Sequence, residues 1–268
     1  MMRADVHMHC SFSSDSEARP EDMVETAIAK GLEVICFTDH YDKDNFDWGP
    51  EAVFDTKRYF KEMPALRERY RGRIDIRIGA EIGLQPYLGD CYREFAAKYP
   101  LDFVIGSAHS VQGHDAATKK IFLNHTDQEA YRIYFEEMLE DVQKIKSYDV
   151  VGHMDYMVRY SKQGVKSYSC DDYMDVIDEI LKQVISDGKG IELNTSGLKY
   201  GMGFAHPHEK ILKRYRELGG EIITVGADGH IPEHIAYDFH LADDILKEAG
   251  FKYYTVFKKR KPEFIKLS

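Results

Sequence analysis

The residues best suited to chemistry are histidines and carboxylates that recur just after short apolar runs: His7 and His9, then His40, Glu81, His109, His153, and finally Asp228 with His230. Asp15 adds a ninth donor. Neutral imidazoles and carboxylates together suit zinc, manganese or iron, and a carboxylate such as Glu81 can bridge two ions. Nine donors exceed what one ion needs and suffice for two or three. A water held between clustered divalent ions becomes a hydroxide near neutral pH, while the same ions neutralise phosphate oxygens, so the expected chemistry is phosphate-ester hydrolysis. No Ser or Cys is paired with a base, and the nucleophile is therefore assigned to a metal-bridging hydroxide. A purely structural zinc site is disfavoured, because such sites are closed by four ligands with Cys predominating, and Cys is missing from this set.

These residues need elements that bring them to one place. Short β-branched runs alternate with amphipathic segments along the whole chain, the pattern of βα units around a parallel sheet. Strands are expected near residues 4–9, 33–38, 74–82, 103–108, 149–153, 190–194 and 221–226, seven in all. Helices are expected from Pro20, whose first turn is acidic, to a C-terminal Gly31, over residues 128–147 and over residues 171–186. An α/β barrel follows, in which residues at the C-terminal ends of different strands converge on one mouth. Six of the 12 histidines lie at such ends; His114, His125, His206, His208, His234 and His240 fall in apparent loops or helices. In His7-x-His9 the strand alternation sends both rings to one face and Cys10 to the other. The long polar connections at 41–56, 110–127, 155–170 and 195–208 all follow strands, where barrels place substrate loops.

No linker or repeat divides the 268 residues, so one domain over 1–268 is expected. The net charge of −10 argues against a nucleic-acid surface, which needs clustered Lys and Arg. Cys10, Cys36, Cys91 and Cys170 form no CxxC pair and read as reduced thiols. Without an apolar leader or a membrane-length apolar run, a cytoplasmic enzyme acting on a small molecule is expected.

The ordered segments Asp5-Val6-His7-Met8-His9, Ser14-Asp15, Thr38-Asp39-His40, Gly79-Ala80-Glu81, Ser107-Ala108-His109, Gly152-His153-Met154-Asp155 and Gly226-Ala227-Asp228-Gly229-His230 resemble the polymerase-and-histidinol-phosphatase (PHP) family over nearly the whole chain. The resemblance implies a distorted seven-stranded (β/α)7 TIM-like barrel with a trinuclear metal centre. It implies that His7, His9, Glu81 and Asp228 hold one ion, Glu81, His109 and His153 a second, and Asp15, His40 and His230 the third. The family often has Gly-Ser-Asp-Ala-His where this chain has Gly226 to His230, a departure that keeps the ligands. The segments 36–40, 152–160 and 192–198 look like the monofunctional histidinol-phosphatase branch, implying hydrolysis of L-histidinol phosphate to L-histidinol and phosphate in histidine biosynthesis.

Asp228 and His230 are candidates for proton transfer, and Arg159 and Lys199 for contacts with the substrate phosphate. Asp39 and Asp155 flank ligand histidines and are candidates to orient them. Trp48 with Asp42, Asp44 and Asp47 could form a lid that recognises a cationic substrate. Rival readings are a family phosphoesterase acting on nucleotides, a non-catalytic metal-binding barrel, and an amidohydrolase. The last needs a bridging lysine, and no lysine stands at an expected strand end.

Overall fold

Each of the seven apolar runs becomes a parallel strand, and the order of strands in the sheet is their order in the chain. In this computed structural model, which describes residues 2–268, they are β1 (Ala4–Met8), β2 (Val34–Phe37), β3 (Asp75–Gly83), β4 (Phe103–Ser107), β5 (Val150–Val151), β6 (Gly190–Asn194) and β7 (Ile223–Gly226). Apart from their entry residues these strands are buried on both faces, as the continuous apolar runs require of a covered parallel sheet.

Closure is made just beyond the last strand. The Asp228 N–H donates to His7 O at 2.9 Å, the His9 N–H donates to Gly229 O at 2.9 Å, and Met8 bridges Gly229 in parallel. The edge of β1 is thereby paired rather than left open. Asp5 fastens the same seam: its buried carboxylate accepts the N–H of Ala227 at 3.1 Å and of Ala236 at 2.8 Å.

A helix follows every strand: α1 (Pro20–Ala29), α2 (Thr56–Arg69), α3 (Gly89–Lys98), α4 (Asp127–Lys144), α5 (Met174–Ser186), α6 (Glu209–Glu217) and α7 (Phe239–Glu248). Helix α1 ends as its sequence predicts, with Gly31 at φ +77°. Helix α4 opens on a capping box between Thr126 and Glu129 and stops at Lys144, because Ile145 turns extended and is buried. Helix α5 begins three residues later than expected, since Cys170–Tyr173 winds as a 3-10 turn that buries Cys170 and Tyr173.

The chain is thus the expected seven-stranded α/β barrel, and its distortions are specific. Strand β5 is two residues long, with hydrogen bonds from Asp149 N to Val104 O and from Gly152 N to Gly106 O extending its pairing. His40–Tyr41 forms an additional two-residue strand against Glu81–Ile82 of β3. Among the described residues no helix is long and apolar enough to cross a membrane.

A hairpin with no counterpart in the sequence reading closes the end opposite the histidines. Strands β8 (Tyr253–Lys258) and β9 (Lys261–Lys266) are joined by Lys259 and Arg260, both at positive φ (51° and 62°). Such a turn normally carries Asn or Gly, so the usual hairpin signal was absent. The turn is held from below the barrel: Arg260 Nε donates to Asp149 Oδ2 at 2.5 Å, its Nη2 to Ser147 O at 2.7 Å, and Lys259 N to Asp102 Oδ1 at 3.0 Å.

Candidate metal centre

Glu81 is the hub of the mouth. It is fully buried on β3, where His40 pairs beside it, and its two oxygens face different histidines. Oε2 lies 3.1 Å from His40 Nδ1, 3.3 Å from His7 Nε2 and 3.4 Å from His9 Nε2. Oε1 lies 2.9 Å from His153 Nε2 and 3.2 Å from His109 Nε2, and accepts the Ser107 hydroxyl at 2.6 Å. Asp228 Oδ1 adds contacts of 3.4 Å to His9 Nε2 and 3.7 Å to His7 Nε2. Asp15 Oδ2 reaches His230 Nε2 at 3.1 Å and His40 Nε2 at 3.6 Å. All nine side chains singled out from the sequence therefore meet in one cluster.

The far sides of the rings fix which nitrogens are free. A carboxylate only accepts, so His7 Nδ1 donates to Glu192 Oε1 at 2.7 Å and His109 Nδ1 donates to Asp42 Oδ2 at 2.7 Å. Ser13 gives its single proton to Asp39 at 2.9 Å and so accepts from His9 Nδ1 at 3.0 Å. His230 Nδ1 donates to Asp228 O at 3.2 Å. These four rings thus turn a protonated Nδ1 away from the cluster and direct Nε2 into it, the orientation of a metal-ligating histidine.

The electrostatics call for a cation. His7 Nε2 and His9 Nε2 approach to 3.1 Å, while Glu81 Oε2, His40 Nδ1 and His230 Nε2 are buried with close neighbours but no well-aligned hydrogen bond. Burial pushes the Glu81 carboxyl up, but His7 and His109 more than reverse this and hold it well below the usual range. Burial likewise opposes protonation of His7, yet Glu192, Glu81 and Asp228 hold it well above its usual value. A mixed N/O set whose ligand atoms converge in this way fits divalent zinc, manganese or iron. Cys10, fully buried, donates its thiol to Asp39 at 3.2 Å and stays out of the cluster, as strand alternation predicts.

Asp228 stands at φ +52°, a left-handed conformation that Asn and Asp adopt more readily than other non-glycine residues. The cluster shapes this turn from several sides: Asp228 N binds His7 O, and Lys199 Nζ donates to Asp228 O at 3.0 Å and Ala227 O at 3.4 Å.

A PHP domain model matches residues 5–196. The histidinol-phosphatase of Lactococcus lactis subsp. lactis is 33% identical over 264 residues, covering 97% of this chain and 96% of that protein. A probable histidinol-phosphatase of Clostridium acetobutylicum is 32% identical over 92% of this chain and 94% of its own length. This chain belongs to the PHP family. Its fold superposes with a TM-score of 0.87, at 32% identity, on a crystal structure of histidinol phosphate phosphatase from Lactococcus lactis complexed with zinc, L-histidinol and phosphate, covering 97% of this chain and 98% of that one.

The PHP cluster opens into a cavity of about 300 Å³ lined by Asp15, His40, Asp42, Trp48, Glu51, His109, Asp115, Tyr156, Arg159 and Tyr160 among others. Three roomier depressions, of about 410 Å³ beside Phe251, about 450 Å³ beside Arg71 and about 590 Å³ beside His125 and Arg132, include none of the nine cluster residues. Arg159 packs against the rings of Tyr156, Tyr200 and Tyr160, 4.3, 4.4 and 4.9 Å from their centroids. Its Nη2 donates to Tyr160 Oη at 2.6 Å, while Nη1 is buried without a partner.

Several PHP-site residues take positions that sequence reasoning did not give them. Asp155 does not orient His153: it accepts from His206 Nδ1 at 2.5 Å and from His208 N at 2.8 Å. The Asp42, Asp44 and Asp47 run does not act as a unit. Asp42 backs His109, Asp44 pairs with Lys43, and Asp47 ties the 41–56 loop to Lys120 and Asp115 N. Asp39 reaches His9 only through Ser13. Glu192 was missed as a partner of His7. Its signal was available, since a carboxylate inside the apolar run Gly190–Asn194 is not buried without a partner.

Proposed function

We propose that this chain is a histidinol-phosphatase, hydrolysing L-histidinol phosphate to L-histidinol and phosphate as a step of histidine biosynthesis. The observation that carries the reading is the meeting of nine His, Asp and Glu side chains at one cavity that Arg159 also lines. The Lactococcus relative named for this activity, and its complex with zinc, L-histidinol and phosphate, support the choice of substrate.

His7, His9, Glu81 and Asp228 would hold one divalent ion, Glu81, His109 and His153 a second, and Asp15, His40 and His230 a third. When bound, such ions lower the pKa of coordinated water towards neutrality and neutralise phosphate charge. Arg159 supplies the fixed cation for the phosphate: the three tyrosine rings set its plane, and Nη1 is left to donate. Lys199 adds positive charge behind Asp228 and spends two of its three donors on backbone carbonyls. Trp48, Glu51 and Asp115 line the same cavity and would offer an aromatic face and carboxylates to the leaving alcohol with its cationic amine. Hydrolysis breaks the bond from phosphorus to the alcohol oxygen, and that oxygen must receive a proton. We assign proton handling to Asp228 and His230, whose Oδ1 and Nδ1 lie 3.5 Å apart at the cluster.

The whole of residues 1–268 is read as one working barrel. Free thiols at Cys10, Cys36, Cys91 and Cys170 support a cytoplasmic location.

The test is phosphate release by protein of measured metal content, with histidinol phosphate set against nucleoside monophosphates and His153→Ala as control. Histidinol phosphate is expected to be preferred at least about tenfold in kcat/KM, roughly 1.4 kcal/mol of transition-state binding. Equal rates on nucleotides would reassign the substrate, and full activity in His153→Ala would remove the site.

A further inference from the structure

Glu192 lies outside the nine-residue set, yet it is fully buried, at 0% exposure, directly behind it. Its two oxygens serve two different strands. Oε1 accepts the Nδ1–H of His7, on β1, at 2.7 Å. Oε2 accepts the backbone N–H of His153, just after β5, at 3.2 Å, and the Asn194 side-chain amide at 3.0 Å. Asn194 is held in turn, its Oδ1 accepting from Ser196 N at 2.9 Å.

Gly226 leaves the space that this carboxylate and His7 occupy. A Cβ on Gly226 would stand 2.2 Å from His7 Cβ and 2.6 Å from Glu192 Oε1. One on Gly152 would clash with Ser107 Oγ at 2.4 Å and Ile105 Cγ2 at 2.7 Å, while meeting Glu192 Oε2 at an ordinary 3.6 Å. Both glycines head motif segments, Gly226-Ala227-Asp228 and Gly152-His153. Real Cβ atoms do not approach this closely, so a side chain at Gly226 would displace either His7 or Glu192.

The geometry points to Glu192 as a positioning residue for the metal cluster, one that couples the ligand from β1 to the ligand beyond β5. Acting on His7, it fixes the proton on Nδ1 and turns Nε2 towards Glu81 and Asp228. Acting on His153, it anchors the backbone from which that ring reaches Glu81 Oε1. One carboxylate therefore sets ligands on both sides of the Glu81 bridge, and its loss loosens both together. Outer partners of metal-bound histidines typically change metal affinity or activity by about 10- to 100-fold.

This inference rests on the metal-cluster part of the proposed function and is independent of the substrate. Glu192→Gln is the discriminating change, because an amide of the same shape offers one acceptor and one donor group. If its carbonyl faces His7, its NH₂ opposes the His153 and Asn194 donors. If its NH₂ faces His7, the ring must move its proton to Nε2, the ligating atom. Wild-type and variant protein are loaded with zinc and titrated with a chromophoric chelator, with activity followed in parallel. The expected result is zinc affinity about 10- to 100-fold weaker in the folded variant, with kcat falling alongside. Wild-type affinity in folded Glu192→Gln overturns the proposal. A second measurement needs no variant: in long-range ¹H–¹⁵N spectra of zinc-loaded wild-type protein, the His7 proton is expected on Nδ1, and a proton on Nε2 overturns the proposal. Wild-type protein that binds no zinc, manganese or iron would overturn this inference and the metal centre together. Wild-type protein that binds metal but spares histidinol phosphate would overturn the substrate alone.

Discussion

Asp42 Oδ2 accepts the Nδ1–H of His109 across 2.7 Å, from a loop whose acidic run otherwise faces solvent or surface lysines. Gly83 makes this possible, since a Cβ there would stand 2.8 Å from Asp42 Oδ1. Asp42→Ala is therefore expected to free the His109 ring and lower metal affinity or kcat by about 10- to 100-fold. Metal content and phosphate release measured on one preparation test this. Wild-type values for both would relegate Asp42 to the loop.

Arg159 should act on phosphate binding rather than on metal binding. Lysine at this position keeps the charge but loses the planar fork and its stacking on Tyr156, Tyr160 and Tyr200. Arg159→Lys is expected to lower kcat/KM about tenfold and Arg159→Ala about a hundredfold, or about 1.4 and 2.7 kcal/mol, with metal stoichiometry unchanged. Unaltered steady-state kinetics in both variants would place the guanidinium outside the reaction.

Asp141 predicts how stability depends on pH, remote from the cluster. It is buried in α4 with Oδ1 unpartnered. Burial, reinforced by Glu137 and Glu140, pushes its carboxyl up to about 8 from an ordinary 3.8. The folded protein thus keeps a proton that the unfolded chain releases above the lower value. Its contribution is fully favourable below about pH 4 and is lost progressively as pH rises towards 8. Asp141→Asn, which cannot ionise, should raise Tm at pH 8 by about 2–4 °C for each kcal/mol recovered and change little at pH 4. Equal shifts at both pH values would rule out ionisation as the cause.

Arg260 tests whether the closing hairpin serves stability alone. Its partner Asp149 is nearly buried, and removal of the arginine leaves that carboxylate without its strongest neighbour. Because Arg260 is partly exposed, Arg260→Ala is expected to cost roughly 2–3 kcal/mol, below the usual range for breaking a fully buried pair. Thermal unfolding should reveal the loss while KM of the folded enzyme stays put. A changed KM with unchanged Tm would contradict this division of labour.

Much of the centre was legible in the chain because a parallel barrel imposes a simple rule: strand ends converge. Six of the seven apolar runs lead into a histidine or carboxylate, the exception being the run that ends at Asn194, and this made His7, His9, Glu81, His109, His153 and Asp228 readable without coordinates. His40 also met the cluster, though through its own short strand beside Glu81 rather than at the end of β2. The hairpin after residue 252 was hidden because Lys259 and Arg260 adopt positive φ without the residues that usually announce it.

What the sequence determined by itself was local and periodic: which runs are strands, which residues end them, and that their donors suit divalent metals. What only the tertiary structure decided was the layer behind the ligands. Asp42 turned from the lid to His109, Asp155 turned to His206, and Glu192 proved to span His7 and His153. Strand alternation fixes the face on which a side chain emerges, but a hydrogen bond across 185 residues, as between His7 and Glu192, depends on barrel closure and register, which no local pattern encodes.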